Sequence, residues 1–434
     1  MSIILFKENQ EIRVISNQML WLLQRLRINV NVLETYAMWA LQQIYQRIRF
    51  TAIRGAANDA ANSARDEIRI PIQQQDLYTL PCDSFLYIEG RLESKESSNT
   101  QVAPVTRLVN NCAAFMFEEI RYELNGVEID RSRNVGITST IKNYASLTVE
   151  RGKILKNAGW DLSAVTHSSI GDFNFCVPLN VLLGFCEDYK RVVINARHEP
   201  ILIRARNDNN CIISVETQEP KIVLLKIQWR MPHIVLNDIN KLRLLRTFDR
   251  RRYLNVAFRS WDFYEFPLLQ STTKHSWAVK AVTQLEKPRY IIFALQSRKK
   301  NVLFEEPSLF DDCKLANVKL YLNSDFYPYD DMNLDFDKHK VAVLYYMYSK
   351  FRRTYYGCDN DEALLNLNKF LIHGPLVVID CSRQNESIKS ATVDVCVEFD
   401  CKENVLSNIT AYCLIIHDRV VEYNPLTNVV HRIV

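Results

Sequence analysis

Between Glu119 and Asp130 the order of apolar and polar residues is sharp enough to predict both a structure and its register. Ile120, Tyr122 and Leu124 alternate with Glu119, Arg121 and Glu123, so an extended chain here has one apolar and one charged face, as a half-buried strand does. Asn125-Gly126 follows, and Asn-Gly suits a two-residue type I′ turn because both central residues need positive φ. Such a hairpin sets Leu124 opposite Val127 and Tyr122 opposite Ile129. The pattern returns 198 residues downstream, where Val318, Leu320 and Leu322 alternate with Lys319 and Tyr321 and Asn323-Ser324 stands at the turn.

Other segments repeat in the same order. A helix-like run over Pro178 to Tyr189 precedes Val192-Val193-Ile194-Asn195 and a strand from Pro200 to Arg206; one over Asp361 to Phe370 precedes Val377-Val378-Ile379-Asp380 and a strand from Ala391 to Phe399. Each series closes on an apolar run, Ile222 to Met231 and then Ile409 to Ile416, with Val223, Leu225, Ile227, Trp229 and Met231 predicted on one face. A period of roughly 190 residues is a duplicated domain, far above the 20–50 of solenoid repeats.

Further strands are predicted around Ile68, Ile70 and Ile72, with Pro71 marking an edge, and at Phe85–Leu92, Tyr290–Gln296, Lys314–Leu322 and Val341–Tyr348. Asn134 to Ile154 mixes both periods and receives no assignment. The opening residues differ from the rest. Leu33, Tyr36, Ala37, Ala40, Leu41, Ile44, Tyr45 and Ile48 fall on one stripe at helical spacing, which predicts an amphipathic helix over Val32–Phe50, followed by a small-residue linker, Gly55 to Ala64. Many short strands with few long helices indicate sandwiches or barrels. The expected organisation is therefore all-β, with residues 1–64 a helical arm and linker, 65–240 a first β domain and 241–434 a second.

Composition narrows the classes. With 434 residues the chain can bury two cores, and 47% hydrophobic with 24% charged residues is the balance of a globular protein. Its net charge of +4 gives no general case for nucleic-acid binding. The 11 cysteines lack framework spacing and read as reduced thiols. MSIILFKENQ is too short and too polar for a signal segment, and no run reaches the ~18 apolar residues of a membrane span. Lys241, Arg243, Arg246, Arg250, Arg251 and Arg252 make 241–252 the most basic stretch, either a contact for phosphate or an acidic partner or a connecting helix with a solvated face.

Catalytic signatures are missing: GxGxxG, a Walker loop, GxSxG and HExxH do not occur. His417 beside Asp418 suggests an acid–base pair, but neighbouring strand residues face apart. Cys396 and Cys401, an odd number apart, likewise cannot share a zinc ion on one regular strand. Asp331 to Asp337 alternates oxygen ligands like a calcium loop, yet Phe336 and Ala342 stand where that loop needs Gly and a bidentate Glu. No catalytic, cofactor or metal residue is assigned.

Residues 66–90 (DEIRIPIQQQDLYTLPCDSFLYIEG), 122–144, 178–208, 377–387 and 411–428 (AYCLIIHDRVVEYNPLTN) resemble the double jelly-roll capsid-like proteins of insect genomes, which are similar to the major capsid proteins of Polinton/Maverick elements and adintoviruses. The resemblance covers about 66 to 434. It implies two tandem eight-stranded jelly rolls in one chain, three chains forming a pseudo-hexameric capsomer, a role in a virion or inside the cell rather than secretion, contact with a minor capsid protein, and no enzymatic role. Two other readings compete: a domesticated capsid gene whose product binds host partners, and a jelly-roll enzyme or lectin acting on glycans.

Overall fold

The computed structural model describes residues 47–54, 66–72, 78–93, 106–162, 171–214, 220–236, 239, 242, 253–280, 287–323, 325–383, 393–406 and 408–433. Eight strands build the first lobe: β1 (Arg47–Arg54), β2 (Glu67–Arg69), β3 (Phe85–Glu93), β4 (Phe117–Leu124), β5 (Val127–Arg133), β6 (Gly171–Pro178), β7 (His198–Arg204) and β8 (Lys221–Val235). Eight more build the second: β9 (Leu254–Phe266), β10 (Lys274–Lys280), β11 (Pro288–Ser297), β12 (Leu315–Leu322), β13 (Asp325–Tyr327), β14 (Val377–Asp380), β15 (Val395–Cys401) and β16 (Ile409–Asn424).

In the first lobe one sheet runs β1-β8-β3-β6 and the other β2-β7-β4-β5. In the second the orders are β9-β16-β11-β14 and β10-β15-β12-β13. Adding eight to each strand number converts one lobe into the other. All these pairs are antiparallel, and two four-stranded sheets joined in this order are a jelly roll. Short pieces extend the sheets: Tyr78–Thr79 and Val193–Ile194 in the first lobe, Val429–Ile433 against β16 in the second.

The closing strands β8 and β16 lie inside their sheets, which explains their apolar runs. Residues 411–416 of β16 are all buried, as expected of a strand covered on both faces. In β8 the register shifts between Leu224 and Lys226, leaving Leu225 as a bulge. Ile222 and Leu224 face inward before it and Ile227, Trp229 and Met231 after it, while Leu225 is exposed. The single face predicted from Val223 to Met231 is therefore broken in phase by one residue.

The hairpin β4–β5 turns at Asn125 (φ 50°) and Gly126 (φ 79°), with Leu124 paired to Val127. Its register departs from expectation one step later. Tyr122 faces Asp130, not Ile129, because Ile129 is an extra residue between the Glu123–Glu128 and Tyr122–Asp130 pairs. Both Ile129 and Asp130 are buried in consequence. The second hairpin turns at Asn323 (φ 55°) and pairs Leu322 with Asp325. A Cβ added at Gly126 meets no atom within 4 Å, so Gly126→Val tests backbone strain alone. It is expected to lower stability by about 1–2 kcal/mol, measured as the urea midpoint.

Four helices matter below: α1 (Val135–Ser146), α2 (Gly184–Asp188), α3 (Ala342–Tyr356) and α4 (Leu367–His373). α1 fills part of the unassigned stretch and is buried along its whole length. α3 replaces the strand predicted over Val341–Tyr348. Its buried positions, Leu344, Tyr348, Phe351 and Tyr355, recur at steps of four, three and four, the helical stripe. The helix predicted over Val32–Phe50 is also corrected at its end. Residues 47–54 are strand β1, paired with Gln228–Val235 of β8, and the rest of that prediction lies outside the described residues. The first jelly roll thus begins within the segment read as an arm. The basic stretch 241–252, Leu242 excepted, is also outside the described residues.

Candidate functional site at the junction of the lobes

Buried charge concentrates where the lobes meet. Lys142, on the buried helix α1, has a fully buried side chain and bonds to Glu187 of α2. Glu187 also accepts hydroxyl bonds from Tyr355 (2.7 Å) and Tyr356 (2.5 Å) of α3. The Lys142 ammonium lies 4.7 Å from the centre of the Trp261 ring and 4.6 Å from that of Tyr355, close enough for cation–π attraction. Both rings belong to the second lobe, while Lys142 and Glu187 belong to the first.

Beside this cluster, Asp188 grips Arg259 of β9. It accepts from Nε and Nη2 at 2.6 Å each and from the backbone N–H at 2.9 Å. The guanidinium lies 3.5 Å from the centre of the Tyr355 ring. Gly184 makes the approach possible: a Cβ there would lie 1.9 Å from the Arg259 carbonyl oxygen, so no other residue lets α2 sit on β9 in this way. Asp130, turned inward by the bulge in β5, accepts from Phe185 N–H at 2.8 Å and from the Ser260 hydroxyl of the second lobe at 2.9 Å.

Burial lowers the Lys142 ammonium from the usual lysine range, against the pull of Glu187. Burial, reinforced by Glu187, holds the Tyr355 and Tyr356 hydroxyls well above theirs. Burial also raises the Asp130 carboxyl, opposed by Arg419. These groups answer one another instead of facing a solvent cleft. Chemically the arrangement is a clamp: each charge is paired, and neither tyrosine is poised to act as a base.

The C-terminal segment adds a second tie. Tyr423 OH donates to Ile194 O (2.6 Å), Asn125 Nδ2 to Asn428 O (3.0 Å), and Arg432 Nε to Glu128 O (2.6 Å). The Asn125 turn therefore serves as an anchor between lobes as well as a hairpin.

The residues weighed in the sequence do not converge here. His417 is buried with Nε2 3.3 Å from Asp262, while Asp418 points outward to Arg289; Asp262 had no signal in the sequence. Cys401 lies on the inner face of β15 and Cys396 on the other. None of the 11 cysteines forms a disulfide. In the Asp331–Asp337 loop the carboxylates diverge to different lysines: Asp331 to Lys319 at 2.7 Å, Asp335 to Lys402 and Asp337 to Lys314.

A second buried centre lies within the first lobe. His198 Nδ1 is 2.8 Å from Tyr122 OH and Nε2 is 2.7 Å from Thr79 Oγ1. Burial, with His233 nearby, lowers its pKa to about 3. The sign follows directly: the unfolded chain takes up a proton near the ordinary 6.5 and the folded chain does not, so stability is full above about pH 6.5 and falls towards about pH 3. This group alone accounts for on the order of 5 kcal/mol over that range. His198→Gln is expected to flatten the dependence of the urea midpoint between pH 7 and 4.5; an unchanged slope would assign the acid sensitivity elsewhere.

A family model described as double jelly roll-like domain matches residues 106–421. The chain belongs to this double jelly roll-like family. Its fold is shared with solved viral proteins. A Faustovirus major capsid protein is 8% identical at a TM-score of 0.55, covering 86% of this chain and 90% of that one. A chain of the Sputnik virophage structure is 8% identical at 0.61, covering 90% and 89%. The mavirus major capsid protein is 12% identical at 0.54, covering 89% and 90%. No curated protein matches the chain in sequence. The two jelly rolls expected from the sequence are those of the family, and the clamp and the C-terminal segment both tie them together across a shared apolar core.

Proposed function

We propose that the chain is a structural, non-enzymatic major capsid protein of a virus or virus-like element, of the Polinton/Maverick kind, and that three copies close into one capsomer. The observation that carries this reading is the pair of lobes with identical strand order held together by buried bonds. Two similar lobes per chain give six to a trimer, enough for pseudo-hexagonal packing, where a dimer gives four; closed symmetry is the usual outcome for soluble homo-oligomers. Capsomers then associate into a shell, in a virion or inside the producing cell. Among the described residues no helix is long and apolar enough to cross a membrane. The basic stretch 241–252 is assigned to contact with nucleic acid or a minor capsid protein.

Contacts between copies are expected to be mainly apolar, since +4 per chain supplies little long-range force. Light scattering of the full chain should give three subunits at both low and moderate salt, with six-lobed particles in negative-stain images. A stable monomer at micromolar concentration would overturn the capsomer and favour the domesticated reading.

A further inference from the structure

A cleft of about 590 Å³ opens between the lobes. One wall is the first-lobe helix Val149–Ile154 and the turn after it, with Val149, Gly152, Lys153 and Lys156 along one face. The other wall is Tyr345 and Ser349 of α3 with the segment leading into α4. Leu162, Ala363 and Leu364 give it apolar surface.

Two independent features point to an occupant. The indole N–H of Trp160 is buried without a hydrogen-bond partner, and it faces Gly152, whose added Cβ would lie 3.8 Å from Nε1. A buried donor left unmade costs about 1–3 kcal/mol, so an acceptor that enters the cleft and parts Gly152 from Leu364 to reach it is rewarded. The rim is cationic as well. Lys153 and Lys156 are half exposed or more beside Glu150 and Asp161, and Lys350 and Arg353 flank Asp361. With Lys369 on α4, cations outnumber carboxylates.

We propose that this cleft docks an acidic, partly apolar segment of a partner protein. A free carbonyl of its last helical turn accepts from Trp160, its apolar side chains lie on Leu162 and Leu364, and its carboxylates meet Lys153, Lys156 and Lys369. Such a segment supplies the acceptor, the apolar surface and the negative charge together, and a groove between two helices is a common seat for one. The inference goes beyond the shell role and holds whether or not the chain trimerises.

The probe is a blocked synthetic peptide with glutamates on one helical face and leucines on the other, titrated into the full chain and followed by calorimetry. Binding should weaken tenfold or more in Lys153→Glu/Lys156→Glu/Lys369→Glu, whose changes are all at the surface, and a few-fold in Trp160→Phe, which keeps an aromatic ring, though a smaller one, and removes the donor. Unchanged melting temperatures establish that both variants fold. No binding at millimolar peptide, equal binding of a lysine–leucine control, or indifference to the triple change would each overturn the proposal. So would two other results: decanoate displacing the peptide as its better ligand, which makes the cleft a small-molecule site, or the triple change dissolving the oligomer, which makes it a contact between copies.

Discussion

Glu187→Ala is expected to destabilise the folded chain by about 3–5 kcal/mol, because it removes one partner of a buried ion pair and leaves the other charged. The Lys142 side chain is fully buried and that of Glu187 only 11% exposed, so water cannot take the carboxylate's place, and Tyr355 and Tyr356 lose their acceptor in the same step. The effect reaches across the junction, since the donors belong to both lobes. The urea midpoint should fall and the single transition should separate into two, one per lobe. Lys142→Met/Glu187→Gln removes both charges while keeping an acceptor for the tyrosines, and should lie within about 1–2 kcal/mol of the parent. If Glu187→Ala proved as stable as the parent, the clamp would not be what joins the lobes.

The parts of this structure that were legible in the sequence are those fixed by local period. Alternation plus Asn-Gly predicts the β4–β5 hairpin, and its recurrence at Val318–Ser324 predicts a second β module, which the family resemblance reads as a second jelly roll. Where local period was ambiguous, reading failed. Val341–Tyr348 is an unbroken apolar and aromatic run that periodicity cannot tell from a buried strand, and only Phe351 and Tyr355, beyond that window, reveal the helical stripe of α3. Arg47–Phe50 falls at the end of the helical stripe predicted over Val32–Phe50, although Ile48 and Phe50 alternate with Arg47 and Arg49 as in the strand that forms. The clamp was invisible for a different reason. Lys142, Glu187, Arg259 and Tyr355 are separated by tens of residues and meet only through the packing of two domains. Asp130 joins them because of a one-residue bulge that no pattern in β5 announces. Lys142 in a stretch of apolar and uncharged polar residues is the one available hint, since a buried lysine demands a partner.

Removing the first 62 residues is expected to unfold or aggregate the first lobe. Had these residues been an arm outside the β domains, a chain beginning at Ser63 would keep the oligomer of the full chain, but strand β1 contradicts that premise. Its eight residues pair with Gln228 to Val235, from Arg54–Gln228 to Arg47–Val235, and β8 is the strand on which β1 and β3 both depend. Without β1 a long row of backbone donors and acceptors on β8 is left open, an edge prone to pair with other chains. Allowing about 0.5–1.5 kcal/mol net for each ladder hydrogen bond, less the entropy of ordering the strand, the loss is about 3–5 kcal/mol, or roughly 10 °C in the melting of a lobe this size. A chain beginning at Val32 keeps β1 and serves as the control. It should melt with the full chain and scatter light as the same oligomer, whereas the chain from Ser63 should melt early and form heterogeneous aggregates. Equal melting of all three chains would show that β1 adds nothing to the first jelly roll, and would return residues 1–64 to the status of a detachable arm.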